Sequence, residues 1–176
     1  MSEAVTKQKS LVDMLPQESI DEIEVWLAKY PAERRRSAVM GALMVAQKAN
    51  NNFLSQELMD GVADYLGIPH VAAYEVATFY TMYNLEPVGE HVINVCNNIS
   101  CMLRGCDGLI AHLEKRLNIK TGQTTPDNKI TLRTVECAGA CAGAPMCEID
   151  EVYHEHLTEQ KMDALVDAIL NKQKET

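Results

Sequence analysis

The sequence predicts an α+β protein in which a bundle of helices precedes a smaller domain of mixed strands and helices. Two observations lead to this prediction. In the first eighty-odd residues, apolar residues recur every three or four positions, as they do along one face of a helix. Beyond residue 87 short apolar runs alternate with helical segments, and all six cysteines of the chain fall in this second part. A chain of 176 residues has room for one domain or two small ones.

Four helices are expected in the first part, and local residues mark their ends. Pro31 ends the first helix and can begin the second. Ser55 is a suitable N-cap for the third helix, and Gly67 supplies its stop. The predicted helices span residues 16–30, 31–48, 55–66 and 71–83. Short links between them favour helix packing around one apolar centre.

The pattern of apolar residues in the second part of the chain predicts a small layered domain. Two apolar runs read as strands, and each ends at or just before a cysteine. A long helix lies between these strands, a short hairpin follows, and a helix capped by Thr158 closes the chain. The predicted strands span 91–95, 129–135, 146–149 and 151–154, and the predicted helices span 102–118 and 158–171. This order describes a small α+β or thioredoxin-like layer.

Composition and charge exclude several classes of function. The formal net charge is -9, and such an acidic chain is poorly suited to binding the phosphate backbone of nucleic acid. Residues 1–10 lack the apolar centre of a secretory signal. The longest apolar run, from Ala38 to Ala46, is too short to cross a bilayer, so direct membrane insertion is not expected.

Four cysteines form two close pairs. Four residues lie between Cys96 and Cys101, and three lie between Cys137 and Cys141. Two close pairs far apart in the chain suggest two regions brought together around a metal centre. Iron–sulfur clusters are held by Cys thiolates, and a [2Fe–2S] core takes two on each iron. We therefore predict that the two pairs hold a [2Fe–2S] cluster and that the protein passes electrons.

Other interpretations of the cysteines remain open. Structural zinc is the main alternative metal, although these spacings lack the common Cys-x-x-Cys knuckle. A disulfide framework is less favoured, because no route to an oxidising compartment is evident. Cys106 lies on the apolar stripe of the predicted helix 102–118, where a small buried hydrophobe is the ordinary interpretation. Cys147 is the second spare thiol.

The surroundings of the pairs suit an anionic group. Cys101 is expected to begin a helix, whose free N–H groups favour negative charge. Gly139 and Gly143 allow close approach of the backbone. His154 and His156 are ligands in principle, but solvated loop histidines are commoner. The sequence has no Gly-x-Gly-x-x-Gly fingerprint and no P-loop, so no site for a dinucleotide is visible.

Several motifs together resemble a known family. They are the segment from Glu75 to Tyr80 (EVATFY), the Cys-x-x-x-x-Cys and Cys-x-Gly-x-Cys pairs, and Ala144-Pro145 before a strand. From about Pro16 to Leu170 the chain resembles the small [2Fe–2S] subunit of the NADH dehydrogenase module of NADH:quinone oxidoreductase, respiratory complex I. Ala138 departs from the Leu usual in the second motif.

The resemblance implies an N-terminal helical domain and a C-terminal thioredoxin-like [2Fe–2S] ferredoxin domain. We accordingly divide the chain into a flexible N-terminus (1–15), the helical domain (16–86) and the ferredoxin domain (87–176). By the same resemblance, the ligands of the one cluster are Cys96, Cys101, Cys137 and Cys141. No catalytic residue is expected in this chain.

The resemblance also implies an assembly. FMN and NADH are expected on a partner flavoprotein subunit, with further complex I subunits beyond it. The chain is expected on the cytoplasmic side of the inner membrane, peripheral as part of a membrane-bound complex. Alternatives are the equivalent diaphorase subunit of an NAD-linked hydrogenase or formate dehydrogenase, or a zinc-binding interaction protein without redox function.

Overall fold

The structure is a computed structural model that describes residues 9–171. The chain divides into two compact units between Pro87 and Val88. The first is helical, and the second combines helices with a four-stranded sheet, so the predicted α+β class is confirmed. No helix within residues 9–171 is both long enough and apolar enough to cross a membrane.

Within residues 9–87, the first unit contains five α-helices. They are α1 (Leu11–Met14), α2 (Gln17–Leu27), α3 (Val39–Ala49), α4 (Gln56–Leu66) and α5 (His70–Phe79). The apolar stripes of these helices meet in one core, whose largest fully buried side chains include Ile23, Leu43, Leu54 and Leu66. Burying one such side chain contributes about 1.5–3 kcal/mol, so this core is the main source of the unit's stability.

Two predicted helices of this unit are shorter than expected. The second begins as a 3₁₀ helix, Ala32–Ala38, with non-helical torsions at Arg34. The side chain of the next residue, Arg35, donates to the carbonyls of Tyr65 and Leu66 at the end of α4. The fourth predicted helix is α5, which ends at Phe79, because the chain turns back to bury Tyr83.

Residues 11–14 form a helix, although the sequence predicted a flexible segment there. Leu11 and Leu15 are buried in the core of the unit. Ser10 donates its main-chain N–H and its hydroxyl to the carboxylate of Asp13, which fixes the start of the helix. The remaining part of the predicted flexible N-terminus, residues 1–8, lies outside the described residues.

The described part of the second unit, residues 88–171, contains four strands and three α-helices. They are β1 (His91–Cys96), α6 (Ile99–Leu103), α7 (Cys106–Leu117), β2 (Ile130–Val135), β3 (Cys147–Ile149), β4 (Val152–His154) and α8 (Glu159–Asn171). The sheet order is β2-β1-β3-β4, with β1 parallel to β2 and the other two pairings antiparallel. Its core includes Ile93, Leu113, Leu132 and Met162. The predicted tail after Asn171 lies outside the described residues.

The helix predicted at 102–118 is two helices. Gly105, with φ of 91°, interrupts the predicted helix, so that α6 and α7 are separate helices. Leu103 is 78% exposed and does not belong to the apolar stripe, whereas Cys106 is buried as expected. Cys101 lies inside α6, whose N-cap is Asn98, so the expectation that Cys101 begins a helix is wrong.

Candidate metal centre

The sheet topology brings the two cysteine pairs to one edge. Cys96 ends β1 and lies opposite Val135, the last residue of the parallel strand β2. Cys137 follows two residues later, so it leaves the sheet at the edge where Cys96 lies. Antiparallel β3 begins at Cys147, opposite Val95, and therefore the segment from Cys141 returns to the same edge. Residues far apart in the chain are thus neighbours here.

The first pair is buried and in mutual contact. Cys96 and Cys101 are 4% and 2% exposed. The side-chain oxygen of Asn98 accepts from the N–H of Ile99 at 2.7 Å and starts α6, which turns the chain back over the strand end. As a result Cys101 lies beside Cys96, and both pack in one small apolar cluster.

Main-chain N–H groups donate to both sulfurs of this pair. Burial raises the pKa of Cys96, but donors from Ala138, Asn98 and the Cys101 thiol outweigh it, so its pKa lies below the ordinary value. Burial and the hydrogen bond to Cys96 raise the pKa of Cys101, despite a donor from the N–H of Met146. Hydrogen bonds to sulfur stabilise the negative thiolate, which is the form that binds metal.

The second pair lies on an exposed loop. Cys137 and Cys141 are both exposed, and Cys141 begins a single 3₁₀ turn. Cys141 is nevertheless close enough to the first pair that its charge makes a small contribution to the raised pKa of Cys101, after the larger effect of burial. Gly139 has φ of 79°, a torsion that side chains with a Cβ rarely adopt, so this position favours glycine.

Cys106 and Cys147, which belong to neither pair, are buried among apolar side chains. Cys106 packs in the small apolar cluster that contains Cys96 and Cys101, and burial, followed by the charge of Asp107, raises its pKa to about 11. Burial and then the charge of Glu148 raise the pKa of Cys147 to about 12. Cys106 and Cys147 lie outside the two close pairs and are fully buried, which suits a packing role in the core.

The donor set suits a two-iron group. Within residues 9–171, no three His, Cys, Asp or Glu side chains are placed to hold a single metal ion. A [2Fe–2S] core takes its four thiolates as two pairs, and two close pairs of cysteines lie at this edge of the sheet. His91 and His112 are paired with the carboxylates of Asp150 and Asp163, so these rings have other partners.

One contributor to the site has no signal in the sequence. The hydroxyl of Tyr153, on β4, donates to the carbonyl of Ala138 at 2.9 Å. Fifteen residues separate the two, and only the register of the hairpin β3–β4 brings them together. The sequence also does not indicate that the N–H groups of Ala138, Asn98 and Met146 donate to sulfur, because every residue except proline carries such a group.

Comparison with known proteins identifies similar chains. The family model described as thioredoxin-like [2Fe–2S] ferredoxin matches residues 23–170. The NADH-quinone oxidoreductase subunit designated E in Rickettsia prowazekii is 41% identical over 167 residues, which cover 95% of this chain and 94% of that protein. The subunit designated E 2 in Rhizobium meliloti is 46% identical over 148 residues, covering 84% and 86%. The mitochondrial NADH dehydrogenase [ubiquinone] flavoprotein 2 of Dictyostelium discoideum is 45% identical over 155 residues, covering 88% and 63%.

A solved structure shares the fold. A chain of an NAD+-reducing [NiFe]-hydrogenase in the air-oxidised state aligns with a TM-score of 0.63 over 74% of this chain. The identity is 22%, and the match spans only 23% of the hydrogenase chain. This likeness supports the thioredoxin-like architecture.

Proposed function

Because the chain belongs to the thioredoxin-like [2Fe–2S] ferredoxin family, we propose that Cys96, Cys101, Cys137 and Cys141 hold one [2Fe–2S] cluster. The chain then serves as the electron-transfer subunit of an NADH:quinone oxidoreductase, complex I. The pairing of Cys96 with Val135 at the ends of two parallel strands is the observation that supports this most directly. It places the two cysteine pairs at one edge of the sheet.

The residues around the pairs have two roles in this proposal. The four thiolates bind, and the N–H groups of Ala138, Asn98 and Met146 stabilise negative charge on the sulfurs of Cys96 and Cys101. When bound, a [2Fe–2S] cluster supplies a centre that ordinarily exchanges one electron. The exposed loop with Cys137 brings this edge to the protein surface, where a redox partner has access.

Oxidation of NADH belongs to a different subunit in this proposal. A hydride carries two electrons, and flavins accept hydride, so a flavin must stand between NADH and a one-electron centre. The sequence of this chain has no dinucleotide fingerprint. FMN and NADH therefore bind to a partner flavoprotein, and the isolated chain is not catalytic. The assembled complex lies at the cytoplasmic side of the inner membrane, with this chain peripheral in it.

Each unit has exposed apolar side chains that suit a protein partner. In the helical unit, Phe79 is 76% exposed and contacts Tyr80 edge to face, and Met82 and Leu85 nearby are also exposed. In the second unit, α6 exposes apolar side chains beside Cys101, namely Ile99, Met102 and Leu103. Large exposed apolar side chains are typical of protein interfaces. We assign both surfaces to the flavoprotein partner.

Mixing the chain with its flavoprotein partner tests this function. The isolated chain should neither bind FMN nor oxidise NADH, and its EPR signal should appear only with dithionite. In the mixture, NADH should also produce that signal if the reduction potential is high enough. A signal with dithionite alone would indicate a low potential, and binding of the two proteins then decides the partnership. Stoichiometric FMN binding or NADH oxidation by the single chain would overturn the proposal.

A further inference from the structure

Both main-chain polar groups of Ala138, its carbonyl and its N–H, make hydrogen bonds. Its carbonyl accepts a hydrogen bond from the hydroxyl of Tyr153 at 2.9 Å. Its N–H donates to the sulfur of Cys96. In the described part of the chain, these are the hydrogen bonds that connect the irregular loop 136–140 with β4 and with the end of β1. The same residue therefore joins a tyrosine of the hairpin to a cysteine of the metal centre.

We propose that Tyr153 is a positioning residue for the metal centre, and that it acts by holding the N–H of Ala138 on the sulfur of Cys96. The inference rests on the proposed function, because it concerns the cluster that Cys96 helps to bind. Tyr153 itself is half exposed and is not a ligand. Its role is to limit the freedom of the loop between two cysteines.

The position of Tyr153 is fixed independently of the loop. Residues Asp150 and Glu151 turn the chain with positive φ between β3 and β4, which sets Tyr153 opposite Glu148. A carboxylate oxygen of Asp150 accepts from the N–H of Val92 at 3.2 Å and fastens the hairpin to β1. Cys96 ends the same strand. The hydroxyl and the sulfur that hold Ala138 thus belong to one framework of strands.

The hydrogen bond from Ala138 to Cys96 affects the reduction potential of the cluster. A cluster gains a negative charge on reduction, and N–H donors to its cysteine sulfurs stabilise that charge, so each donor raises the reduction potential. Without the Tyr153 hydroxyl the carbonyl of Ala138 loses its partner, and the loop moves more freely. The donor then spends less time on Cys96. The potential falls, and the cluster is released more readily.

The Tyr153→Phe variant of the full chain tests this inference, because it removes one oxygen atom and keeps the ring. We expect a lower midpoint potential and shifted g values in the EPR spectrum of the reduced protein. Release of iron to a chelator should be about two- to fivefold faster, as expected for the loss of one partly exposed hydrogen bond. Tyr30→Phe is the matched control, because it removes the hydroxyl of a tyrosine in the helical unit.

The outcomes separate this inference from the proposed function. Iron, sulfide and EPR of the wild-type chain establish first whether the [2Fe–2S] cluster is present, and its absence would overturn the function itself. If the cluster is present, an unchanged potential and EPR spectrum in Tyr153→Phe would overturn the role of Tyr153 alone. Circular dichroism and the unfolding temperature of the variant must match wild type, which excludes global unfolding as the cause of a shift.

Discussion

Cys96 and Cys101 pack in one small apolar cluster, although the first ends a strand and the second lies in a helix. The contact exists because the chain reverses at Asn98 directly after β1. The short connection through Asn98 therefore determines that Cys101 lies beside Cys96. Cys137 and Cys141 lie on an exposed loop instead.

Substitution of the paired cysteines should abolish or weaken the cluster. Each single change of Cys96, Cys101, Cys137 or Cys141 to Ser removes one of four thiolates, so iron and sulfide content should fall and the EPR signal should diminish or change. The controls are Cys106→Ala and Cys147→Ala, which should keep the cluster because neither thiol belongs to the two close pairs: Cys106 packs in an apolar cluster and Cys147 packs against Met162. A full cluster in Cys137→Ser, with none in Cys147→Ala, would contradict the ligand assignment.

The ferredoxin domain should assemble its cluster without the helical unit. Each unit has its own buried core, and the chain divides next to Pro87. A fragment of residues 87–176 should therefore bind iron and sulfide and give the EPR signal of the full chain. The measurement is EPR and metal content of the purified fragment. A fragment that stays insoluble under conditions in which the full chain is soluble would argue for a shared core.

Gly41→Ala should destabilise the helical unit. A Cβ at Gly41 would lie 2.2 Å from Cδ2 of Trp26, so the indole ring must move from its packed position. Overpacking of this kind costs about 1–3 kcal/mol, which urea unfolding would detect. The matched control is Gly108→Ala on α7, where the new Cβ would meet nothing within 4 Å apart from its chain neighbours and the backbone of its own helix. That variant should be as stable as wild type, or more stable by about 0.5–1 kcal/mol.

His70 should make the helical unit less stable as the pH rises. A hydrogen bond to Asp64, with a further contribution from the charge of Asp60, raises the pKa of His70 above its ordinary value of 6.5, against a smaller lowering by burial. A group whose folded pKa is raised contributes stability below pH 6.5 and loses it as the pH rises through the folded value. Urea unfolding at about pH 6 and about pH 8 measures the change. In His70→Gln this part of the pH dependence should vanish; an identical pH dependence in both proteins would refute it.

The sequence alone predicted the class of the fold and the family. Apolar spacing indicated helices before residue 87 and strands after it, because local periodicity reports which face of an element is buried. The motifs from Glu75 to Tyr80 and around the cysteines identified the family, which the similarity to known proteins supports. The buried state of Cys106 was also readable, since its position on a helical stripe is a local property.

The tertiary structure decided the features that depend on register and on single torsions. The break at Gly105 follows from one positive φ, and the place of Cys101 inside α6 follows from the N-cap at Asn98; periodicity reports neither. The link from Tyr153 to Ala138 depends on strands that pair across many residues. The sequence determined which thiols are available, because their number and spacing are written in it. Only the folded sheet decided which N–H groups reach their sulfurs, because hydrogen bonds require distances and angles that arise from the packing of distant segments.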